Sequence, residues 1–232
     1  MTNNYQRLML RSRWIRSPLN SIATGKTMVR RRKLPEERRR EIVTAAARLA
    51  SKDGLGGISL RRVAQEAGVA PGLVNHYFPA VEQLVAEAFA QVGADDLKGQ
   101  FATIRTESAP VQQMRLYLKS ALADQPDSMR LLAIEACYLA RYQPLLSDAL
   151  TVLFDAWDLE MSRLIDEGVR AGVFRSDDPM KSAIHIFALI DGFALQAAAL
   201  SRARLGIVRE MTIDATEREL GLARGSLQVD PA

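Results

Sequence analysis

The sequence predicts an all-α protein in which a small basic head of three helices is joined to a larger, acidic helical body. Three observations carry this. From Pro35 onwards the apolar residues recur every three or four positions, and no stretch alternates in twos as a half-buried strand would. Prolines and glycines fall at the ends of these periodic stretches, as at Pro35, Gly54, Gly68, Pro71 and Pro179. Charge divides along the chain: residues 1–79 carry sixteen Lys and Arg against five Asp and Glu, residues 80–232 fifteen against twenty-two.

In chain order, residues 1–29 have no sustained period and mix Arg, Ser, Asn and Gly, the composition of a disordered basic arm. Met28, followed by Val29 and the basic run Arg30 to Lys33, would make an ordinary start, so the segment before it is either an extra arm or lies upstream of the true start. The first helix opens at Pro35, where a missing N–H costs nothing. Glu36 and Glu37 complement its dipole, Ile42, Ala46 and Leu49 share a face, and Asp53-Gly54 ends it. Ser59 is an N-cap for a second, short helix, with Ile58 and Val63 placed as a hydrophobic staple and Gly68 as its stop. Pro71 opens a third, to about Phe78. A fourth starts near Ala80 with the stripe Val81, Leu84, Val85, Ala88, Phe89 and Val92. Further helices are expected over 111–122, 129–141, 145–168, 179–204 and, shorter, 213–220.

Bulk properties exclude several classes. With 48% hydrophobic and 25% charged residues the chain buries a sizeable core. The apolar run 183–200 is interrupted by His185, Asp191 and Gln196, which suits a core or interface helix better than a membrane span. No apolar leader with a cleavage site is visible, so the expected location is cytoplasmic. Cys137, the single cysteine, rules out an intramolecular disulfide and a multi-cysteine zinc site, and in its apolar context reads as a buried small hydrophobe. His76 and His185 are too far apart in sequence and context to suggest a metal centre. With no nucleophile–base pair and no Gly-rich phosphate loop, neither an enzyme nor a cofactor is expected.

Residues 59–78 carry the functional argument. Ala64 and Gly68, four apart, supply what two steeply crossing helices need: a small residue at the crossing and one free to take positive φ at the turn. Val63, Ala67, Val69, Val74 and Phe78 fall where the two helices pack on each other and on the first. Pro71, Gly72, Leu73, Asn75, His76 and Tyr77 are left at the start and open side of the second, where a recognition helix meets base edges. An αα-corner in any helical protein shows a similar pattern. Here Lys33, Arg38 to Arg40, Arg61 and Arg62 surround the same unit with phosphate-binding charge, which a merely solvated face would not concentrate in the first third.

The run from Ile58 to Phe78 (ISLRRVAQEAGVAPGLVNHYF) closely resembles the DNA-binding domain of TetR-family regulators; the likeness extends from Lys33 to Phe89, and Gly72 to Phe78 is similar to the BetI branch. Ala70 stands where the family commonly has a capping Ser or Thr, Asn75 where Tyr is frequent and Val81 where Lys is common, so the contacts those residues make are not carried over. The resemblance implies a helix-turn-helix domain over 30–80, a helical ligand-binding and dimerisation domain over 81–225, and a homodimer on double-stranded palindromic operator DNA. Ser59 belongs to the expected DNA-binding set with the residues above. Asp155-Ala156-Trp157, residues 167–174 and residues 189–195 also resemble the BetI-type body, where choline-like cations are among the ligands. Such a cation calls for aromatic faces and a carboxylate. Glu135, Tyr138, Tyr142, Phe154, Trp157, Asp158, Phe187 and Asp191 are the expected pocket, each with core packing as its alternative, and Asp191-Gly192 with a dimer contact as another. Helices 145–168 and 179–204 are expected to dimerise. Most family members are repressors released by a ligand. An activator of the same fold, a non-specific structural DNA binder, and a helical enzyme or lipid carrier with a basic N-terminus are the competing readings.

Overall fold

The structure, a computed structural model, describes residues 34–124, 128–198 and 202–228, all of whose regular elements are helical. The basic arm and Lys33 lie outside the described residues.

α1 (Pro35–Asp53) begins with Pro35 in its first turn, and the Glu37 carboxylate accepts the Leu34 N–H at 3.1 Å. Ile42, Ala45, Ala46, Leu49 and Ala50 form its buried face. Gly54, at φ 78°, ends it and leads into a 3₁₀ turn, Leu55–Gly57. α2 (Leu60–Ala67) is capped by Ser59, whose hydroxyl accepts the Arg62 N–H at 3.3 Å; Ile58 and Val63 are both buried, as the staple requires. Gly68 ends α2 at φ 65°, ψ 38°, a left-handed geometry that a side chain would strain. α3 (Pro71–Tyr77) follows, and Ala64, Val63, Val74 and Phe78 close the packing between these helices.

α4 (Val81–Ile104) runs from the head into the body. Its first half packs on α1, where Arg39 is ion-paired with the buried Glu87 and Gln91 donates to Thr44 at 3.3 Å. The body adds α5 (Pro110–Ala121), α6 (Ser128–Leu139), α7 (Pro144–Arg170), α8 (Pro179–Ala197) and α9 (Arg202–Glu219). α7 is central: it packs on α4, α5, α6 and α8, and α9 packs on α8. A long-range hydrogen bond from Arg175 N–H to Leu220 C=O (2.8 Å) ties the segment after α7 to the end of α9. Buried Glu217 accepts the N–H groups of Gly225 and Leu227 at 3.0 and 2.6 Å, seating the last turn.

Two hydrophobic clusters result. The first surrounds the head and includes Leu84 and Phe89 of α4, Leu132 and Ala136 of α6, and Leu153 of α7. The second joins Phe101, Tyr117, Met161, Ile165, Ile186 and Phe193 in the lower body. Trp157 packs against both.

The expected helix over 179–204 stops instead at Ala197, and the expected short terminal helix begins at Arg202, well before residue 213. Periodicity ran the two together because no proline or glycine stands between Ala197 and Arg202 to mark an end. Cys137 is exposed rather than buried, because the face of α6 that carries it borders a cavity. No described helix is long and apolar enough to cross a membrane.

Candidate functional sites in the head and the body

In the head, α3 leaves Pro71, Gly72, Asn75 and His76 exposed, while Leu73 and Tyr77 are half-buried and Tyr77 packs edge-on to His76 at 5.4 Å. Ala70 caps α3 with no side-chain hydrogen bond. Arg61, in the first turn of α2, is exposed. The other expected phosphate ligands divide. Arg62 is ion-paired with Asp53 and donates to the Gly57 carbonyl at 2.7 Å, so it braces the turn between α1 and α2. Arg38 pairs with Glu41 at 2.7 Å, and Arg39 lies 4.7 Å over the Phe78 ring while bound to Glu87. Ser59 serves as a cap. Arg40 is exposed.

In the body, a cavity of about 660 Å³ lies between α6, α7 and α8, with α4 and α5 contributing Asp96 and Tyr117. Six of the eight expected residues line it: Tyr138, Phe154, Trp157, Asp158, Phe187 and Asp191. Helical spacing explains their convergence. Phe154, Trp157 and Asp158 stand at i, i+3 and i+4 on α7, and Phe187 and Asp191 at i and i+4 on α8. Trp157, Tyr117 and Phe187 form an aromatic wall, their centroids 5.9 to 6.3 Å apart.

Two expected pocket residues are corrections. Glu135 does not line the cavity; it turns toward the head, its carboxylate accepting the N–H groups of Leu55 at 2.8 Å and Gly56 at 2.9 Å. Tyr142 lies outside as well, in the bend after α6, stacked edge-on to Tyr138 at 6.2 Å. The cavity also recruits residues the sequence reading passed over. Arg130, Ile134, Cys137 and Tyr138 share one face of α6 at i, i+4, i+7 and i+8, so that face was readable once Tyr138 was proposed. Nothing local signals Asp96.

Among the described residues the lining carries Asp96, Asp158 and Asp191 against one guanidinium, Arg130. Burial pushes the Asp158 carboxyl up to about 6, helped by repulsion from Asp155 and Asp191. Asp191 is raised by burial too, against the opposing pull of Arg130. Burial and the Asp191 charge raise the Cys137 thiol. A positive charge placed among these carboxylates would offset the solvation that their partial burial removes.

A helix-turn-helix head joined to a helical body is the architecture of a DNA-binding regulator, and known proteins agree. Residues 42–88 match the family described as bacterial regulatory proteins, tetR family, and residues 110–221 match the BetI-type transcriptional repressor C-terminal domain. The transcriptional regulator RutR of Escherichia coli K12 is 30% identical over 186 residues, 78% of this chain and 86% of that protein. BetI of Vibrio vulnificus is 34% identical over 83 residues, 34% of this chain and 39% of that one. A regulator from Saccharomonospora viridis, solved in complex with choline, superposes with TM-score 0.64 at 23% identity over 80% of this chain and 98% of its own, a likeness of fold. The chain belongs to the TetR family of bacterial transcriptional regulators, with a BetI-type C-terminal domain. It is a DNA-binding regulator, from a family of regulators rather than enzymes.

Proposed function

We propose that the protein is a homodimeric repressor that holds a palindromic operator through its two α3 helices and releases it when an organic cation, choline-like at its charged end, enters the body cavity. The observation that carries this reading is the cavity lining: three carboxylates and one guanidinium around a wall of Trp157, Tyr117 and Phe187. A quaternary ammonium gains from aromatic faces and from carboxylates it need not hydrogen-bond. At about 660 Å³ the chamber exceeds what choline alone fills, leaving apolar wall at Ile184, Ala188 and Leu195 for a substituent on the cation.

In the head, Arg61, Pro71, Gly72, Asn75 and His76 form the DNA-reading face, with Leu73 and Tyr77 at its edge and exposed Arg40 of α1 adding positive charge, joined by Lys33 of the sequence just before it. Dimerisation falls to α8 and α9. Ile184, Leu195, Ile207 and Met211 are 44 to 64% exposed there, and large apolar side chains left in water on adjacent helices favour a second copy. In the dimer two α3 helices enter successive major grooves about 34 Å apart, and the ligand favours a state in which that spacing is lost.

The test is fluorescence anisotropy on DNA from upstream of the gene and its neighbours, against scrambled DNA, at several salt concentrations, without and with choline chloride. Site-selective binding of one dimer, lost in the Arg61→Ala, His76→Ala variant and weakened by choline, is the expected result. Equal, weak binding to every DNA, together with an empty genome-wide site selection, overturns the operator reading. Selective binding indifferent to choline and to larger quaternary ammonium salts overturns the cation.

A further inference from the structure

α6 has two faces with different neighbours. Arg130, Ile134 and Cys137 border the cavity, Leu132 and Ala136 are buried in the cluster that surrounds the head, and Ala133 touches both. At 100° per residue Glu135 stands about 160° around the helix from Cys137. It is therefore the polar group of α6 turned directly away from the cavity and toward the DNA-binding unit.

Its carboxylate is a two-pronged tie. Leu55 N–H donates to Oε2 at 2.8 Å and Gly56 N–H to Oε1 at 2.9 Å, charge-assisted bonds roughly twice as strong as neutral ones. The approach is close enough to dictate sequence: a Cβ on Gly54, already at φ +78°, would lie 2.8 Å from Oε2. The turn held in this way is the joint of the head. The Leu55 side chain is buried in the core, Ile58 N–H bonds to Leu55 C=O at 3.1 Å, and Arg62 links Gly57 C=O to Asp53 across the turn. One carboxylate thus reaches the end of α1, the start of α2 and, through the packing of α2 on α3, the reading helix.

We propose that Glu135 is the positioning residue through which occupancy of the cavity resets the head: a ligand that displaces α6 from its cavity face loosens the Leu55–Gly56 turn from the body. The helix of 12 residues moves as a rod, so displacement on one face appears on the other. Both bonds pass the 3.5 Å limit of a hydrogen bond after a shift of about 0.7 Å. The tie is held or released within a motion the size of a ligand's adjustment. This inference rests on the proposed ligand role of the cavity, but its test needs neither ligand nor operator.

The experiment is amide hydrogen exchange on the full-length protein in four forms: unaltered, Ile134→Trp, Glu135→Gln, and both. Ile134 lines the cavity and does not pack on the head cluster, so the indole projects from the cavity face of α6 and stands in for a ligand. Glutamine keeps the shape but offers one acceptor where the carboxylate offers two. Ile134→Trp is expected to speed exchange at Leu55 and Gly56 about tenfold or more while Ile165, in the second cluster, keeps its rate. In the Glu135→Gln background at least one of those two amides is already fast, and adding Ile134→Trp changes the turn much less than in the unaltered protein. Equal acceleration of the turn in both backgrounds, or an unchanged turn in Ile134→Trp, overturns the proposal. A merely structural Glu135 would instead raise exchange at Ile165 in step with the turn. Ile134→Phe repeats the cycle if the larger side chain unfolds the protein. Choline binding, followed separately by Trp157 fluorescence, reports on the cation, so failure there and failure of the cycle are distinct results.

Discussion

Asp158 makes the proposed cation site pH-dependent in a direction and size that can be worked out in advance. Its carboxyl is lifted to about 6, first by burial and then by Asp155 and Asp191. With that value about nine-tenths of the group is ionised at pH 7 and about one-tenth at pH 5. A cation binds the ionised form, so its affinity falls about tenfold between those pH values, about 1.4 kcal/mol. The opposite sign holds for folding: because the folded-state pKa lies above the unfolded one, the empty protein binds the proton more tightly when folded. Asp158 therefore favours folding at acid pH, and that contribution is lost as pH rises from about 4 to 6. A bound cation offsets the loss. Choline chloride or a larger quaternary ammonium salt is titrated from pH 5 to 8, with Trp157 fluorescence as the signal and binding to the Asp158→Asn variant as the reference. The variant should bind about tenfold more weakly at pH 7 and show a much flatter profile. An affinity flat with pH in the unaltered protein, or an Asp158→Asn profile that matches it, would refute the assignment of Asp158 to the cation.

Three further outcomes follow from named contacts. Gly168→Ala would place a methyl 2.0 Å from a ring carbon of buried Phe174, so it should cost about 1–3 kcal/mol and lower the melting temperature by several degrees in a thermal scan; an unchanged midpoint would show that the ring can yield. Arg62→Ala should lower both thermal stability and DNA affinity because it breaks the bonds to Gly57 and Asp53, whereas Arg61→Ala should weaken DNA alone and reduce the salt slope of binding by about one; equal stability losses would contradict that division. Cys137, exposed on the cavity wall with its thiol raised by burial and by Asp191, should react slowly with maleimide at pH 7, faster toward pH 9, and more slowly again with ligand bound. Labelling indifferent to a saturating ligand would place the ligand elsewhere.

What the sequence disclosed and what it hid divides by range of interaction. The head was legible because its signals are local: Ser59 caps the helix it precedes, Gly68 takes positive φ three residues before the next helix, and Ile58 with Val63 close the same turn. The cavity was legible where residues share a helix face, as Phe154, Trp157 and Asp158 do. It was hidden where membership depends on which helix lies opposite. Tyr142 and Glu135 have the right chemistry for a cation, but one sits past the end of α6 and the other on its far side. Asp96 has no local mark, because only the packing of α4 on α7 brings it to the chamber. The same limit explains Arg39 and Arg62. Their charge was visible, and their commitment to Glu87 and Asp53 was a matter of tertiary contact.

That distinction bears on where the DNA-binding unit ends. Motif and charge place its boundary near residue 80, but the hydrophobic cluster around it continues through Leu84, Val85, Ala88 and Phe89 of α4, with Leu132, Ala136 and Leu153 beyond. Leu84, Ala88 and Phe89 are fully buried, and Glu87 neutralises Arg39 inside the same contact. Burying Leu84, Val85 and Phe89 contributes about 1.5–3 kcal/mol each, so a fragment ending at residue 80 forfeits roughly 5–9 kcal/mol, comparable to the whole stability of an ordinary domain. A peptide of residues 30–80 should therefore show weak helical circular dichroism and no cooperative melting, while the full chain melts as one transition that includes the head. Cooperative unfolding of the 30–80 fragment would show that the head holds itself together, and α4 would then be a tether rather than part of the core. The dependence on α4 is also what makes a tie such as Glu135 effective. A head that shares its core with the body turns when the body's helices shift, whereas a head on a loose linker would not.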